Sequence, residues 1–323
     1  MPAPKVPTAE FLELWATHKS AARVAEALGV DERAVYKRRR ALEAKVGVQL
    51  HASDLAKSQF YKHLSPKEHP HRKHLEVGDG VVLVFSDAHF WPGVRTTAFR
   101  ALLQFIKELK PRAIICNGDA FDGASISRFP RIGWDSKPTV QEELKACEDR
   151  LGEIEAKANG ARLLWPVGNH DARFATRLAA NAPEYQGVKG FELKDHFPKW
   201  EPCWSTWING DVVVKHRYKG GVHATHANVV GAGKTIVTGH LHSLKVTPYD
   251  DYNPRTRWGV DTGTLAEADG PQFIDYSEDN PKNHRSGFAV LTFHRGRLLW
   301  PELVHVVDEN TVDFRGHAID VPQ

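Results

Sequence analysis

Cysteine is scarce in this chain: Cys116, Cys147 and Cys203 are the only three in 323 residues. Thiols so few and so scattered exclude a disulfide-stapled scaffold and fit a reducing compartment. Long hydrophobic runs are missing too. No stretch approaches the ~18 uninterrupted apolar residues of a membrane span. The opening MPAPKVPTAE has no apolar signal-peptide core. A cytoplasmic protein with no membrane partner is the expectation. Core-forming residues are not lacking: hydrophobic residues make up 41% and charged residues 26%, which excludes a disordered or low-complexity chain. No repeat occurs at solenoid periods. At roughly 100–200 residues per domain, the length suggests two domains, or one large domain with an appendage.

What is abundant is histidine, 18 residues, while the net charge is only +3. That small charge is a difference between unlike parts. Residues 1–75 hold 14 Lys and Arg against 8 Asp and Glu; the remainder holds 29 against 32. A basic head on a mildly acidic body is the asymmetry expected where one part meets nucleic acid. A basic solvated face is the alternative.

Residues 8–47 read as three short helices. The first runs from about Thr8 through Phe11, Leu12 and Trp15. The second follows Ser20 and stops at Gly29, a normal residue to end a helix. The third starts at Asp31, a good N-cap, and continues through the basic run Lys37, Arg38, Arg39, Arg40. The segment SAARVAEALGVDERAVYKRRR resembles the helix-turn-helix family, with Ala25 at the close packing of two helices and Val30 and Val35 facing the core. In that family the second helix of the pair enters the DNA major groove. The resemblance implies base contacts from Glu32, Arg33, Tyr36 and Lys37, and phosphate contacts from Arg38, Arg39 and Arg40. A small oligomerisation or docking module is the other reading. Residues 48–75 lose helical periodicity and gain Pro, Lys and His, which reads as a basic linker. Its His63, His69, His71 and His74 form no convergent ligand spacing and read as an exposed polar tract.

From residue 76 to 323 strands alternate with helices, and the later part is rich in strands. VVLVFS (81–86), AIICN (113–117) and RLLWPV (162–167) are apolar runs typical of strands buried on both faces. Helices are expected over about 95–109 and over 139–158. Asn209-Gly210 marks a hairpin turn, and TIVTG (235–239), RWGVDTG and GFAVLTF add further strands. An α/β fold with two packed sheets and helices outside is expected.

The chemistry lies where these strands end. VVLVFS leads into Asp87-Ala88-His89, AIICN into Gly118-Asp119-Ala120-Phe121-Asp122, and RLLWPV into Gly168-Asn169-His170-Asp171. DVVVK leads into His216, and TIVT into Gly239-His240-Leu241-His242. Carboxylates and imidazoles at the carboxyl ends of strands converge, because that edge is where α/β sheets build sites. Mixed oxygen and nitrogen ligands suit manganese, iron or zinc better than calcium.

The ordered set D-x-H, GD-x-x-D, GNH-D, an isolated His and G-H-x-H resembles the calcineurin-like metallophosphoesterase superfamily, over about residues 80–245 for the motifs. The resemblance implies a four-layer α/β sandwich over 76–323, beside a small all-α helix-turn-helix domain over 1–47. It implies two divalent ions, with manganese expected and iron, zinc, nickel or magnesium as alternatives. Asp87, His89 and His242 would hold one ion, Asn169, His216 and His240 the other, and Asp119 would bridge them. His170, oriented by Asp122, would stabilise developing charge or protonate the leaving oxygen while a metal-bridging hydroxide attacks phosphorus. His216 is followed by Arg217 where the family often has Gly, which leaves His223 and His226 as substitutes. Gly123 stands where the protein phosphatases of the family carry Arg, and GNHD replaces their GNHE. These departures point towards nucleases and small phosphodiesterases.

The segment 123–138, just after the second motif, is expected to lie over the metals, with Arg128, Arg131 and Trp134 offered to a phosphate-sugar substrate or simply solvated. Gly231-Ala232-Gly233-Lys234-Thr235 is not a P-loop, because Asn228 replaces the required glycine and a strand follows. Trp200, Trp204 and Trp207 read as hairpin packing. Two functions follow: a metal-dependent phosphodiesterase acting on DNA, or one for small, including cyclic, nucleotides with the N-terminal domain serving assembly or regulation. A DNA-binding regulator with an inactive catalytic fold fits less well, since the ligand set is complete. The joining of these two domains resembles bacteriophage enzymes, which would place the protein in a host bacterial cytoplasm.

Overall fold

The computed structural model describes residues 6–47, 50, 69–129, 136–274, 280 and 282–323. The chain divides into two units, Met1–His69 and Pro70–Gln323. In the first unit, α1 (Thr8–His18), α2 (Ala21–Leu28) and α3 (Glu32–Val46) form a three-helix module. The breaks follow from local chemistry. Lys19 and Gly29 adopt left-handed backbone at the helix ends, and the Asp31 carboxylate accepts from Arg33 N at 2.8 Å to cap α3. Phe11, Trp15, Val24, Ala25 and Val35 are buried together as its core.

That packing splits the basic run of α3. The Arg38 guanidinium lies over the Phe11 ring and bonds the Val6 carbonyl. Arg39 lies over Trp15 and pairs with Glu43 at 2.9 Å. Both were expected on DNA phosphates, yet their partners are in their own module. Arg33, Tyr36, Lys37 and Arg40 remain exposed, at the three- and four-residue spacing that puts them on one helical face.

The second unit comprises β1 (Arg72–Leu75), β2 (Gly80–Phe85), α4 (Thr97–Leu109), β3 (Ala113–Cys116), α5 (Val140–Lys157), β4 (Arg162–Pro166) and α6 (Asp171–Asn181). There follow β5 (Glu201–Cys203), β6 (Ser205–Ile208), β7 (Val212–Val214), α7 (Ala224–Ala232), β8 (Thr235–Thr238), β9 (Lys245–Tyr249) and β10 (Arg257–Asp261). The chain closes with β11 (Gly287–His294), β12 (Arg297–Leu298), β13 (Glu302–Asp308), β14 (Thr311–Phe314) and β15 (His317–Asp320). One sheet has the order β1-β6-β7-β8-β10-β9; the other runs β15-β14-β13-β11-β2-β3-β4-β5, with β12 on β11.

Strand periodicity explains the layers. In β2, Val82 and Val84 enter the core between the sheets with Ile115, Leu164, Val214, Val237 and Val260. Leu83 and Phe85 point the other way, into a second core with Phe99, Leu102 and Ile106 of α4 and Leu151 of α5. On the far face of the smaller sheet, Val213 and Ile236 pack on Val229 of α7. Helices, sheet, sheet and helix make the four layers expected. Each buried side chain of this size contributes ~1.5–3 kcal/mol.

Residues 70–75 were expected in the linker but belong to the sandwich. β1 pairs in parallel with β6, Arg72 opposite Ser205 through Leu75 opposite Ile208, and Leu75 is buried. An edge strand reading Arg-Lys-His-Leu shows no apolar alternation, so its pairing was invisible in the sequence. Of residues 48–68 only Leu50 is described: it packs on the helical core, and its N donates to Glu43 Oε1 at 2.9 Å. His63 lies outside the described residues.

Candidate metal centre

β2, β3 and β4 run parallel in one sheet, and β7 and β8 run parallel in the other. Their carboxyl ends meet at one edge of the sandwich. There the chain turns sharply: Asp87, His89, Asp119, His240 and His242 all have positive φ. Left-handed backbone is uncommon for such residues, and it gathers at sites where function imposes it. Glycine is obligatory beside them. A Cβ on Gly168 would sit 2.0 Å from Asp119 Oδ1, and one on Gly118 would sit 2.5 Å from the His216 ring.

Three groups of side chains present ligand atoms that all lie within 4.8 Å of one another: Asp87, His89 and His242; Asp119, His216 and His240; and His89, Asp119 and His170. The first is the trio expected around one ion. The second unites three of the residues expected at the other, and Asp119 belongs to two groups. His216 is brought in, whereas His223 and His226 are exposed at the start of α7. His226 packs on Tyr249 instead.

Hydrogen bonds orient each ligand. His216 Nδ1 lies 2.8 Å from the Asn117 carbonyl oxygen, which can only accept, so Nδ1 carries a hydrogen and the ring points Nε2 at Asp119. That Nε2 lies 3.0 Å from Asp119 Oδ2 without making a hydrogen bond. Asn169 Oδ1 is also buried without a partner among the described residues. A buried imidazole nitrogen against a carboxylate with no hydrogen bond between them, beside an orphaned amide oxygen, calls for positive charge among them, so these residues fit a divalent metal. The Asp87 carboxylate accepts from His240 N at 2.8 Å and from the Ser86 hydroxyl. Asp119 Oδ1 accepts from His170 N at 2.8 Å.

The electrostatics follow the same plan. Burial alone would push Asp87 up, but the His242 and His216 imidazoles outweigh it and hold the carboxyl at about 2. Asp119 is likewise held down against burial, chiefly by His216. Burial opposes a charge on His216, yet Asp119 and Asp87 raise it to about 10. His240 is lowered by burial and by His216. The carboxylates are thus ionised, as metal ligands must be.

Asp122 has a wider part than expected. Its Oδ1 lies 2.8 Å from Nδ1 of both His170 and His89, so one carboxylate fixes two imidazoles. The residues that sequence reading missed lie just behind. Asp171 accepts from the backbone N of Asp119, Ala120, Phe121 and Gly168 and from Trp165 Nε1. It clasps the second and third motifs together. Glu143, on α5, accepts from Ala124 N at 3.1 Å; burial and then Asp122 push it up to about 7. Asp261 accepts from the N of Ser243 and Gly263, and burial pushes it up to about 7. His284 packs edge-on against His242, with 4.4 Å between ring centres. Arg173 bonds His170. Only Asp171 had a sequence signal, as the last residue of GNHD.

The expected substrate loop is only partly placed. Arg128 is exposed and lies over the Phe129 ring; Arg131 and Trp134 lie outside the described residues. Trp200 is buried against Phe85 and Trp165, while Trp204 is exposed.

A family model for calcineurin-like phosphoesterases matches residues 80–317. The chain belongs to the calcineurin-like phosphoesterase family. It is therefore a hydrolase of phosphoester bonds, from a family whose members bind a dinuclear divalent centre. Among solved structures it is similar to the phosphoesterase Yfce from E. coli, at 12% identity over 75% of this chain and all of that one, TM-score 0.35. It is also similar to a dimetal phosphatase from Danio rerio, at 9% identity over 76% of this chain and 99% of that one, TM-score 0.36. Comparison with curated protein sequences gives no match. Among the described residues of this phosphoesterase, no helix is long and apolar enough to cross a membrane.

Proposed function

We propose that this protein hydrolyses phosphodiester bonds in DNA, with manganese as the working metal. The observation that carries the reading is the exposed face of Arg33, Tyr36, Lys37 and Arg40 on α3, in a three-helix module joined to a phosphoesterase unit. Cations and an aromatic presented together on one helical face suit the phosphates and base edges of a groove.

In this reading Asp87, His89 and His242 would hold one ion and Asn169, His216 and His240 the second, with Asp119 as a further ligand. Bound there, divalent ions would supply polarisation of the phosphoryl oxygens and an acidified water near neutral pH. The protein's own part is alignment. Asp122 fixes His170 at the edge of the centre, where it would stabilise developing charge once its Nε2 is released from Arg173. The exposed side of His240 leaves the edge open to a polymeric substrate.

The test is a substrate panel with the full chain and added manganese: supercoiled plasmid, single strands, cyclic dinucleotides and an aryl phosphodiester. Nicking of plasmid at a rate above that on cyclic nucleotides is expected. Asp119→Asn should lower all hydrolysis by ~10³-fold or more and reduce bound metal per chain. Turnover of cyclic nucleotides with no action on DNA would instead establish the small-nucleotide activity, with the helical module regulatory.

A further inference from the structure

Arg173 stands in the first turn of α6, three residues after His170. Its Nη1 donates to the Asp122 carbonyl oxygen at 2.9 Å, and its Nη2 lies 3.1 Å from His170 Nε2. His170 shares a ligand-distance group with His89 and Asp119. A permanently charged guanidinium thus lies one hydrogen bond from the candidate centre. Neither of these two partners is a carboxylate; Asp122 Oδ1 itself serves the two imidazoles.

A guanidinium has five N–H donors, and these two bonds leave three. The stem is also fixed. Gly123 has φ +64, and a Cβ there would stand 3.3 Å from both Cβ and Cδ of Arg173, so the glycine leaves the space that the arginine fills. A half-buried cation with unused donors beside a cluster of candidate ligand atoms suits an anion. Arginine suits phosphate because its planar fork matches two oxygens at once.

We propose that Arg173 contacts the substrate phosphate, binding a non-bridging oxygen in the ground state and holding it more tightly as charge develops. This rests on the site being the place of phosphoester hydrolysis. It applies to monoesters and diesters alike, since both present such oxygens.

The experiment uses the full-length, metal-loaded protein and its Arg173→Gln, Arg173→Lys and Arg177→Gln variants. Arg177 carries the same charge one turn further along α6 and is exposed. Three quantities are measured: metal per chain, the dissociation constant of inorganic phosphate by calorimetry, and kcat and KM on an aryl phosphodiester. Arg173→Gln should retain both metals, bind phosphate ~10-fold more weakly and lose ~10²-fold in kcat/KM. Arg173→Lys should recover part of the phosphate affinity, and Arg177→Gln should match the parent protein. Unchanged phosphate binding in Arg173→Gln would overturn the proposal. So would loss of metal from Arg173→Lys, which would make the residue architectural. If the parent protein turns over no phosphoester, the hydrolytic reading fails instead, and calorimetry with phosphate still decides the role of Arg173.

Discussion

The centre depends on side chains one step behind the ligands. Asp171 offers two oxygens to five N–H donors, which favour its charged form against the burial and the Asp119 charge that push it up. Glu143 has the opposite character. In the native protein it keeps its proton to about 7, while its ordinary value is 4.5. Between those values the unfolded chain has released a proton that the folded chain still holds, so stability falls as pH rises through that window, by ~3 kcal/mol at most. Glu143→Gln keeps an oxygen for Ala124 N and cannot ionise. It should match the parent in denaturant melts near pH 5 and exceed it by ~1–3 kcal/mol at pH 8. A difference that does not change with pH would refute the assignment. Neither residue's full role was readable beforehand, because Glu143's partner and three of Asp171's five donors are distant in sequence. Gly123 was readable only as a departure from the protein phosphatases; the structure shows its space taken by the stem of Arg173.

At the scale of elements, strand ends were legible because apolar, β-branched runs stop where Asp, Gly and His begin. The helix Asp171–Asn181 was not legible. Its Arg and Ala content lacks a broad apolar stripe, and only Asp171 and Phe174 are buried. Reading it would have placed Arg173 one turn from His170. Helix α3 behaves in the complementary way. Its basic run is continuous in sequence, but a 3.6-residue period divides it between core and solvent. Replacing Arg33, Lys37 and Arg40 by Ala should weaken duplex binding and flatten the salt dependence by ~0.9 in slope for each phosphate no longer neutralised. Replacing Arg38 or Arg39 should leave that slope alone and lower the melting temperature, since each cation over its ring contributes ~0.5–1 kcal/mol at an exposed site. Binding isotherms at several salt concentrations and thermal melts separate the two. An equal flattening of the slope by both sets of substitutions would sink the proposed division of α3.

For the whole molecule, the division between units falls at His69–Pro70, and this changes where it can be cut. Removing residues 1–69 leaves β1 paired with β6 and both sandwich cores intact. That protein should hydrolyse an aryl phosphodiester at the parent's rate but bind duplex DNA more weakly. Removing residues 1–75 deletes an edge strand and exposes Ile208 and its neighbours, so it should also lower the melting temperature. Equal duplex affinity with and without residues 1–69 would remove the helical module from the DNA reading.

The order of the motifs, the ligand types at each strand end and the break between a basic helical head and an α/β body were all present in the chain before folding. Those are local properties: periodicity, turn chemistry and charge are written in neighbouring residues. Three-dimensional packing alone settled which histidine joins Asp119, that Asp122 serves two imidazoles, and that Arg173, Asp171 and Glu143 surround the centre. It also settled which arginines of α3 face solvent. Each of these depends on distances between residues that the linear pattern does not encode. The surplus of histidine meant little as a number. Convergence of five of them at one sheet edge, His89, His170, His216, His240 and His242, gave it chemical meaning.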